Sequence, residues 1–360
     1  MDLRSNASAT LITAALLLGA AVTTGCSARD GEVVQRTPQT APSAYAPDPL
    51  SIASDATVPA PAPQTVEIAP AAEEGPLLQI PAFSGSFGHR AGLHKVKDDL
   101  HLSASAVLVL DHVTGQVLLH RNEDAVLPIA SLTKLMTGLV ITDAKLPMED
   151  VLTITNDDVD SERHSRSRLR VGTSLTRREA LQVALMSSEN RAAHALGRTY
   201  PGGMPAFVQA MNAKARALGM KSTAYVEPTG LSTGNQSTAR DLARVVDAAS
   251  KNPLLAEYTT TRQRLLEVSR GRIEQYNNSN RLEKNPKWDI ELQKTGYIVE
   301  AGWCMVMDTK IAGRNMVMVL LDAGGASSRL ADMERMKRAL SAHPKAVSVH
   351  APADALHARS

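Results

Sequence analysis

Strand-like runs stand at both ends of the foldable part of this chain, with helical periodicity between them. One sheet must therefore be closed from segments far apart in sequence. Ala104 to Asp111 and Gln116 to Arg121 read as two strands joined by a hairpin turn at His112-Val113-Thr114-Gly115. Near the other end, Trp303 to Asp308 and Asn315 to Asp322 flank a turn at Ala312-Gly313-Arg314. Val317 to Leu321 is apolar without alternation, as in a central strand buried on both faces. Between these ends, Thr176-Arg177-Arg178-Glu179 is a capping box. The helix it opens is apolar on more than one side through Ala180, Leu181, Val183, Ala184, Leu185 and Met186, so it should be buried. Further helices are expected over Arg191 to Tyr200, Phe207 to Leu218 and Thr238 to Ser250, with Ser328 capping a closing helix from Arg329 to Ala342. The expected class is α/β: an antiparallel sheet flanked by helices, with an inserted helical lobe. Hydrophobic residues at 43% suffice for that core, while aromatics at 3% require it to be built from Leu, Val, Ala and Met.

Upstream of the foldable part the composition changes. Ala9 to Val22 is an apolar run of signal-peptide length, too short to span a bilayer as a helix. It ends in Thr23-Thr24-Gly25-Cys26-Ser27, which resembles a bacterial lipoprotein cleavage site with Cys26 as the lipidated residue. Cleavage after Ala28 is the alternative. The following Pro, Ala, Ser and Thr cannot bury enough apolar area to offset their ordering entropy, so an extended tether is expected. The expected organisation is a signal peptide at 1–26, a tether at 27–95, the folded domain at 96–345 and a polar tail at 346–360. Residues 86 to 100 should pack only loosely on that domain. The implied location is the periplasm, with membrane attachment through Cys26.

A net charge of +2 is no nucleic-acid signature. Two cysteines make neither a disulfide framework nor a zinc cage, and the histidines show no ligand spacing. No metal and no cofactor are expected. Arg163 to Arg170, dense in Arg and Ser, reads as a solvated loop or as a positive rim attracting an anionic substrate.

Chemistry concentrates in short motifs. Ser131 falls where a helix begins, and it can cap free N–H groups there. Lys134, three residues on, would share its helix face and set an amine beside the hydroxyl, a nucleophile with a base. Ser188-Glu189-Asn190 breaks a buried helix, and Lys294-Thr295-Gly296 stands at a strand start. Each motif is weak alone, as the helix-ending Ser250-Lys251-Asn252 shows, but together they are specific. A rival nucleophile, Ser232 in Gly230-Leu231-Ser232-Thr233-Gly234, fits an esterase elbow only if a strand turns directly into a helix there. Pro228 and the delay to the next helix near Thr238 argue against it.

The strings at 128–137 (Pro-Ile-Ala-Ser-Leu-Thr-Lys-Leu-Met-Thr), 185–193 (Leu-Met-Ser-Ser-Glu-Asn-Arg-Ala-Ala) and 294–298 (Lys-Thr-Gly-Tyr-Ile) carry a resemblance. Over roughly residues 95 to 345 the chain resembles the penicillin-recognising serine D,D-peptidases, above all the low-molecular-mass penicillin-binding proteins that act as D-alanyl-D-alanine endopeptidases. The resemblance implies a beta-lactamase/D,D-peptidase-like fold with its site in a cleft between helical and sheet lobes. It implies that Ser131 attacks a D-alanyl carbonyl and that Lys134 is the base, kept neutral by burial and by the Lys294 cation. Ser188 relays the proton to the departing amine, and Asn190 holds the Lys134 amine and a substrate peptide group. Lys294 and Thr295 bind the substrate carboxylate, and Gly296 leaves room along the strand. The N–H groups of Ser131 and Tyr297 form the oxyanion hole. The implied partners are peptidoglycan stem peptides and beta-lactam antibiotics.

Glu189 is expected to face away, Cys304 to be a buried small hydrophobe, and Asn277 to Asn280 to form a turn. The end of the chain soon after the closing helix favours an endopeptidase over a carboxypeptidase. A beta-lactamase and a non-catalytic cell-wall scaffold are the alternatives, though no dedicated deacylating glutamate stands out.

Overall fold

The computed structural model describes residues 85–342. The expected signal peptide, Cys26, most of the tether and the C-terminal tail lie outside the described residues. The order begins with a short helix α1 (Phe87–Arg90), strands β1 (Ala106–Asp111), β2 (Val117–Arg121) and β3 (Leu127–Pro128), and helix α2 (Thr133–Asp143). Strands β4 (Val151–Thr153) and β5 (Ser174–Thr176) pair ahead of helices α3 (Arg177–Met186), α4 (Asn190–Arg198) and α5 (Gly203–Ala217). Strand β6 (Gln236–Ser237) pairs with β3 and leads to α6 (Ala239–Ser250) and α7 (Pro253–Thr260). A hairpin of β7 (Gln263–Ser269) and β8 (Arg272–Asn277) follows. The chain then forms β9 (Asp289–Ile298), β10 (Gly302–Ile311), β11 (Arg314–Ala323) and the closing helix α8 (Ala326–Ala342).

The five-stranded sheet runs β2-β1-β11-β10-β9 and is antiparallel throughout. Pairing of β1 with β11, from Ala106 opposite Leu321 to Asp111 opposite Met316, joins the two ends of the domain. The continuous apolar run of β11 is explained by its two faces. Val317, Val319 and Leu321 face the core shared with α2, α3 and α6, while Met316, Met318 and Leu320 face a second core with Met333, Met336 and Leu340 of α8. Each such burial contributes roughly 1.5–3 kcal/mol, so neither face of this strand tolerates a polar residue. Helix α2 is buried from Thr133 to Ile141, which makes it the central helix of the helical lobe. That burial is what places Lys134 out of water. Among the described residues no helix is long and apolar enough to cross a membrane.

The structure departs from the sequence reading in several places. Residues 86 to 95, assigned to the end of the tether, form α1 and a 3-10 turn against the sheet. The Phe87 N–H donates to the Glu300 carbonyl at 2.8 Å, and His89 Nδ1 meets the buried Asp322 carboxylate at 3.3 Å. The segment 253–277 holds an unforeseen helix and hairpin. Helix α7 has a local cause, since Asn252 accepts from the N–H groups of Leu254 and Leu255 with Pro253 in the first turn. Strand β9 begins at Asp289, so Lys294 stands mid-strand, and α8 begins at Ala326, which puts Ser328 inside its first turn.

Candidate active site

Ser131 lies in the 3-10 turn Ala130–Leu132 that feeds α2. The N-cap positions are Ile129 for this turn and Leu132 for α2, so Ser131 is not a cap, and its Oγ meets Lys134 instead. Two glycines shape the turn's surroundings. A Cβ on Gly230 would stand 1.9 Å from the Ala130 carbonyl oxygen, and one on Gly296 would stand 3.2 Å from the Ser131 nitrogen and 3.0 Å from the Ile129 oxygen. The Ser131 backbone is thus wedged between the 227–237 loop and β9, the edge strand of the sheet.

Lys134 is fully buried, and its Nζ reaches three acceptors: Ser131 Oγ at 2.9 Å, Asn190 Oδ1 at 2.7 Å and the Thr229 carbonyl at 2.6 Å. Burial lowers its pKa to about 8, while the charges of Glu227 and Glu189 work in the opposite direction. Burial is therefore the cause, and the expected contribution of the Lys294 cation runs the other way: the Lys134 charge helps lower Lys294. A neutral Lys134 has two N–H donors, which match Asn190 Oδ1 and Thr229 O, and one lone pair left to face the Ser131 hydroxyl. This arrangement can take the hydroxyl proton.

Ser188 sits between α3 and α4 with φ +61°, and its Oγ accepts from Lys294 Nζ at 2.9 Å. Lys294 is buried as well, and Nζ also donates to the Thr295 carbonyl at 2.9 Å. Burial, then the charges of Lys134 and Arg329, push its pKa well below the ordinary amine value. Asn190 opens α4, and its Nδ2, expected to meet substrate, donates to Ser165 Oγ at 3.0 Å. The Thr295 hydroxyl donates to Ser279 Oγ at 2.7 Å. Tyr297 is half exposed and stacks on Trp303 with ring centres 4.2 Å apart. The predicted residues thus gather around Lys134 and Lys294.

Ser165, Thr229 and Ser279 were not singled out, although Ser165 lay in the Arg163 to Arg170 segment and Ser279 in the Asn277 to Asn280 cluster. The frame of the 227–237 loop is the Glu227 carboxylate, which accepts from the N–H groups of Thr229 and Gly230, each at 2.6 Å. Asn235 Nδ2 ties it to α2 through Glu227 Oε1 at 2.7 Å and Thr133 Oγ1 at 3.1 Å. Ser232 Oγ accepts from Gly234 N–H in this loop, where no strand turns into a helix, so the elbow reading falls. Glu189, expected to face away, is buried, and burial raises its pKa against hydrogen bonds from the Ser167 side chain and the N–H groups of Arg191 and Arg168. Cys304 is fully buried with its thiol pushed up to about 12, in keeping with a packing role. Among the described residues no cluster of acidic, His or Cys side chains could hold a metal ion.

With this geometry in view, the comparison with known proteins decides the family. A profile for D-alanyl-D-alanine carboxypeptidases matches residues 93–325. The chain belongs to this family. It is one of the penicillin-recognising serine D,D-peptidases, and its sheet and flanking helices have that family's fold. It is 48% identical over 258 residues to a D-alanyl-D-alanine endopeptidase of Pseudomonas aeruginosa, covering 71% of this chain and 82% of the relative. A D-alanyl-D-alanine endopeptidase of Escherichia coli is 40% identical over 237 residues, covering 66% and 76%. Among solved structures, the Streptomyces K15 DD-transpeptidase superposes with a TM-score of 0.62 at 25% identity, covering 66% of this chain and 96% of that one. A D-alanyl-D-alanine carboxypeptidase of Mycobacterium tuberculosis gives 0.60 at 28% identity, covering 69% and 95%.

Proposed function

We propose that this protein hydrolyses D-alanyl peptide bonds of peptidoglycan as a cross-link endopeptidase, through an acyl-enzyme on Ser131. The observation that carries the reading is the buried Lys134 amine at 2.9 Å from Ser131 Oγ, with its other acceptors already supplied by Asn190 and Thr229. Lys134, neutral, takes the Ser131 proton as Oγ attacks the D-alanyl carbonyl. The oxyanion is met by the N–H groups of Ser131 and Tyr297; losing one such donor typically costs about 3 kcal/mol in the transition state. The proton then passes through Ser188 to the departing amine as the C–N bond breaks. Water attacks the ester, returning the proton to Ser131 and releasing the acid. In the free site Lys294 supports the Ser188 hydroxyl, so the substrate carboxylate meets the Thr295 hydroxyl within the field of that amine. Gly296 lets the substrate lie along the edge of β9. A beta-lactam follows the same first step and stalls as the ester.

The apolar run from Ala9 to Val22 supports export to the periplasm, and Cys26 supports attachment to a membrane through a lipid. Intact-mass spectrometry with benzylpenicillin tests the centre of this reading. A stable adduct on the wild type and Ser232→Ala but not on Ser131→Ala is expected, together with cleavage of a cross-linked muropeptide dimer into monomers. No adduct on any form would leave a non-catalytic scaffold. Rapid loss of the adduct would indicate a beta-lactamase.

A further inference from the structure

The Arg163 to Arg170 segment is not a solvated loop. The Asp160 carboxylate accepts from the N–H groups of Glu162, Arg163 and Ser165 at 3.1, 2.9 and 2.9 Å. The Arg163 guanidinium grips Glu300 through two bonds of 2.9 and 3.1 Å and donates from Nε to the Leu231 carbonyl at 2.5 Å. Ser165 accepts from Asn190, and Arg191 holds the carbonyl of the buried Leu169 at 2.7 Å. The loop backbone is therefore fixed to the active-site wall.

It displays two guanidinia. Arg166 and Arg168 line a cavity of about 390 Å³ together with Ser167, Ser187, Ser188 and Glu189. This cavity shares Ser188 with the catalytic cluster. Arg168 is steadied by donation to the Gln275 carbonyl and by its position 4.8 Å over the Tyr276 ring. Arg166 is exposed and has no carboxylate partner among the described residues. The acidic group in the wall, Glu189, is buried, with one carboxylate oxygen that finds no hydrogen-bond partner. It is not paired with either guanidinium.

A pair of guanidinia on a rigid loop is chemistry for a carboxylate, which the planar fork of arginine meets with two parallel bonds. The carboxylate adjoining the scissile bond already has Thr295 and Lys294. We infer that Arg166 and Arg168 form a specificity subsite for a second carboxylate, one borne by the cross-linked peptide outside the scissile bond. This inference rests on the endopeptidase reading and deepens it. Stem peptides carry such carboxylates whether or not they are cross-linked, so the subsite reads the acidic peptide and not the cross-link itself. Because the loop is held in place before substrate arrives, little ordering entropy is lost on binding. The subsite would therefore favour the acidic substrate chiefly through KM.

The test pairs two substrates with the full-length protein and its variants. One substrate is a cross-linked stem-peptide dimer; the other is the same dimer amidated at every carboxylate except the one beside the scissile bond. The wild type should prefer the acidic dimer about tenfold in kcat/KM, mostly through KM, as for one charge-assisted contact. Arg166→Ala and Arg168→Ala should each shrink that preference, and Arg166→Lys should keep part of it. Benzylpenicillin acylation reports that each variant has folded with a working nucleophile. A wild type indifferent to amidation would overturn the subsite, and so would variants that lose equally on both dimers, since that marks a structural role. A wild type that takes penicillin but cleaves neither dimer would overturn the endopeptidase reading and the subsite with it.

Discussion

If Lys134 is the base, acylation must follow the population of its neutral form. Its pKa falls from 10.5 to about 8 on burial. At pH 7 the neutral fraction is then about one-tenth rather than about 0.03%, a gain of roughly 300-fold. The perturbation is pH itself, and the assay is the second-order rate of acylation by a fluorescent penicillin between pH 6 and 9.5. The rate should rise about tenfold per unit to a plateau beginning near pH 8, with the value at pH 6 near ~1% of the plateau. Lys294 is also held well below the ordinary amine range, by burial first and then by the charges of Lys134 and Arg329, so the two amines titrate as a pair. Lys134→Arg, which cannot deprotonate, should lose the pH step and roughly 10²–10⁴ in rate. A rate independent of pH from 6 to 9, or a step that persists in Lys134→Arg, would refute the assignment.

The same shift has a stability consequence with a definite sign. Native Lys134 gives up its proton near pH 8 and the unfolded chain only near 10.5, so the unfolded state binds more protons in that window. Stability should therefore rise through it, by up to about 3 kcal/mol relative to Lys134→Met.

Gly296→Ala would put a Cβ 3.0 to 3.2 Å from Ile129 O, Ala130 Cβ and Ser131 N, all on the nucleophile's turn. Penicillin acylation should drop about tenfold to a hundredfold with little change in the melting temperature, because the displacement falls on reacting geometry. The buried Asp158 carboxyl is held at about 2: burial opposes ionisation, but hydrogen bonds from His194 and Arg198 prevail. Its contribution should be present above pH 4 and be lost as pH falls toward 2, and Asp158→Asn should destabilise by about 2–3 kcal/mol in urea unfolding at pH 7. Ser188→Gly and Ser188→Ala both delete the hydroxyl, so both should lose peptidase activity. The glycine variant should be about 1 kcal/mol the more stable, because φ is +61° there; equal stability would show that the backbone stores no strain.

Legibility in the sequence followed the range of the interaction. The sheet could be read because the strands at both ends have unbroken or alternating apolar runs, and α3 because Thr176 and Glu179 form the expected reciprocal cap. The β7–β8 hairpin escaped because Leu265 and Ile273, its apolar residues on one face, point to solvent and blur the alternation. In the site, Ser131 and Lys134 were readable together because a single helical turn brings them into contact. Their partners were not. Ser165 meets Asn190 across 25 positions and Ser279 meets Thr295 across 16, and no spacing rule reaches that far. Glu189, expected to face away, is instead closed over by the fold.

Eight described non-glycine residues have positive φ, and two of them, Ala130 and Ser188, stand in the candidate site. Ala130 and Ser188 both adopt left-handed backbone, φ +48° and +61°, although each carries a Cβ and a glycine would be easier to place. That conformation costs an L-residue roughly 1–2 kcal/mol, so packing must hold it. At Ala130 the restraint is visible: the carbonyl accepts from Thr133 Oγ1 at 2.8 Å and is closely approached by Gly230, where an added Cβ would overlap it. At Ser188 the adjacent N–H groups of Ser187 and Glu189 both bond to the Val183 carbonyl, ending α3 and turning the serine toward Lys294. These two residues position the two hydroxyls proposed for the chemistry, Ser131 directly after the first and Ser188 as the second. Strain at these positions, offset by the buried helices on either side, is consistent with a site whose geometry is set before substrate arrives.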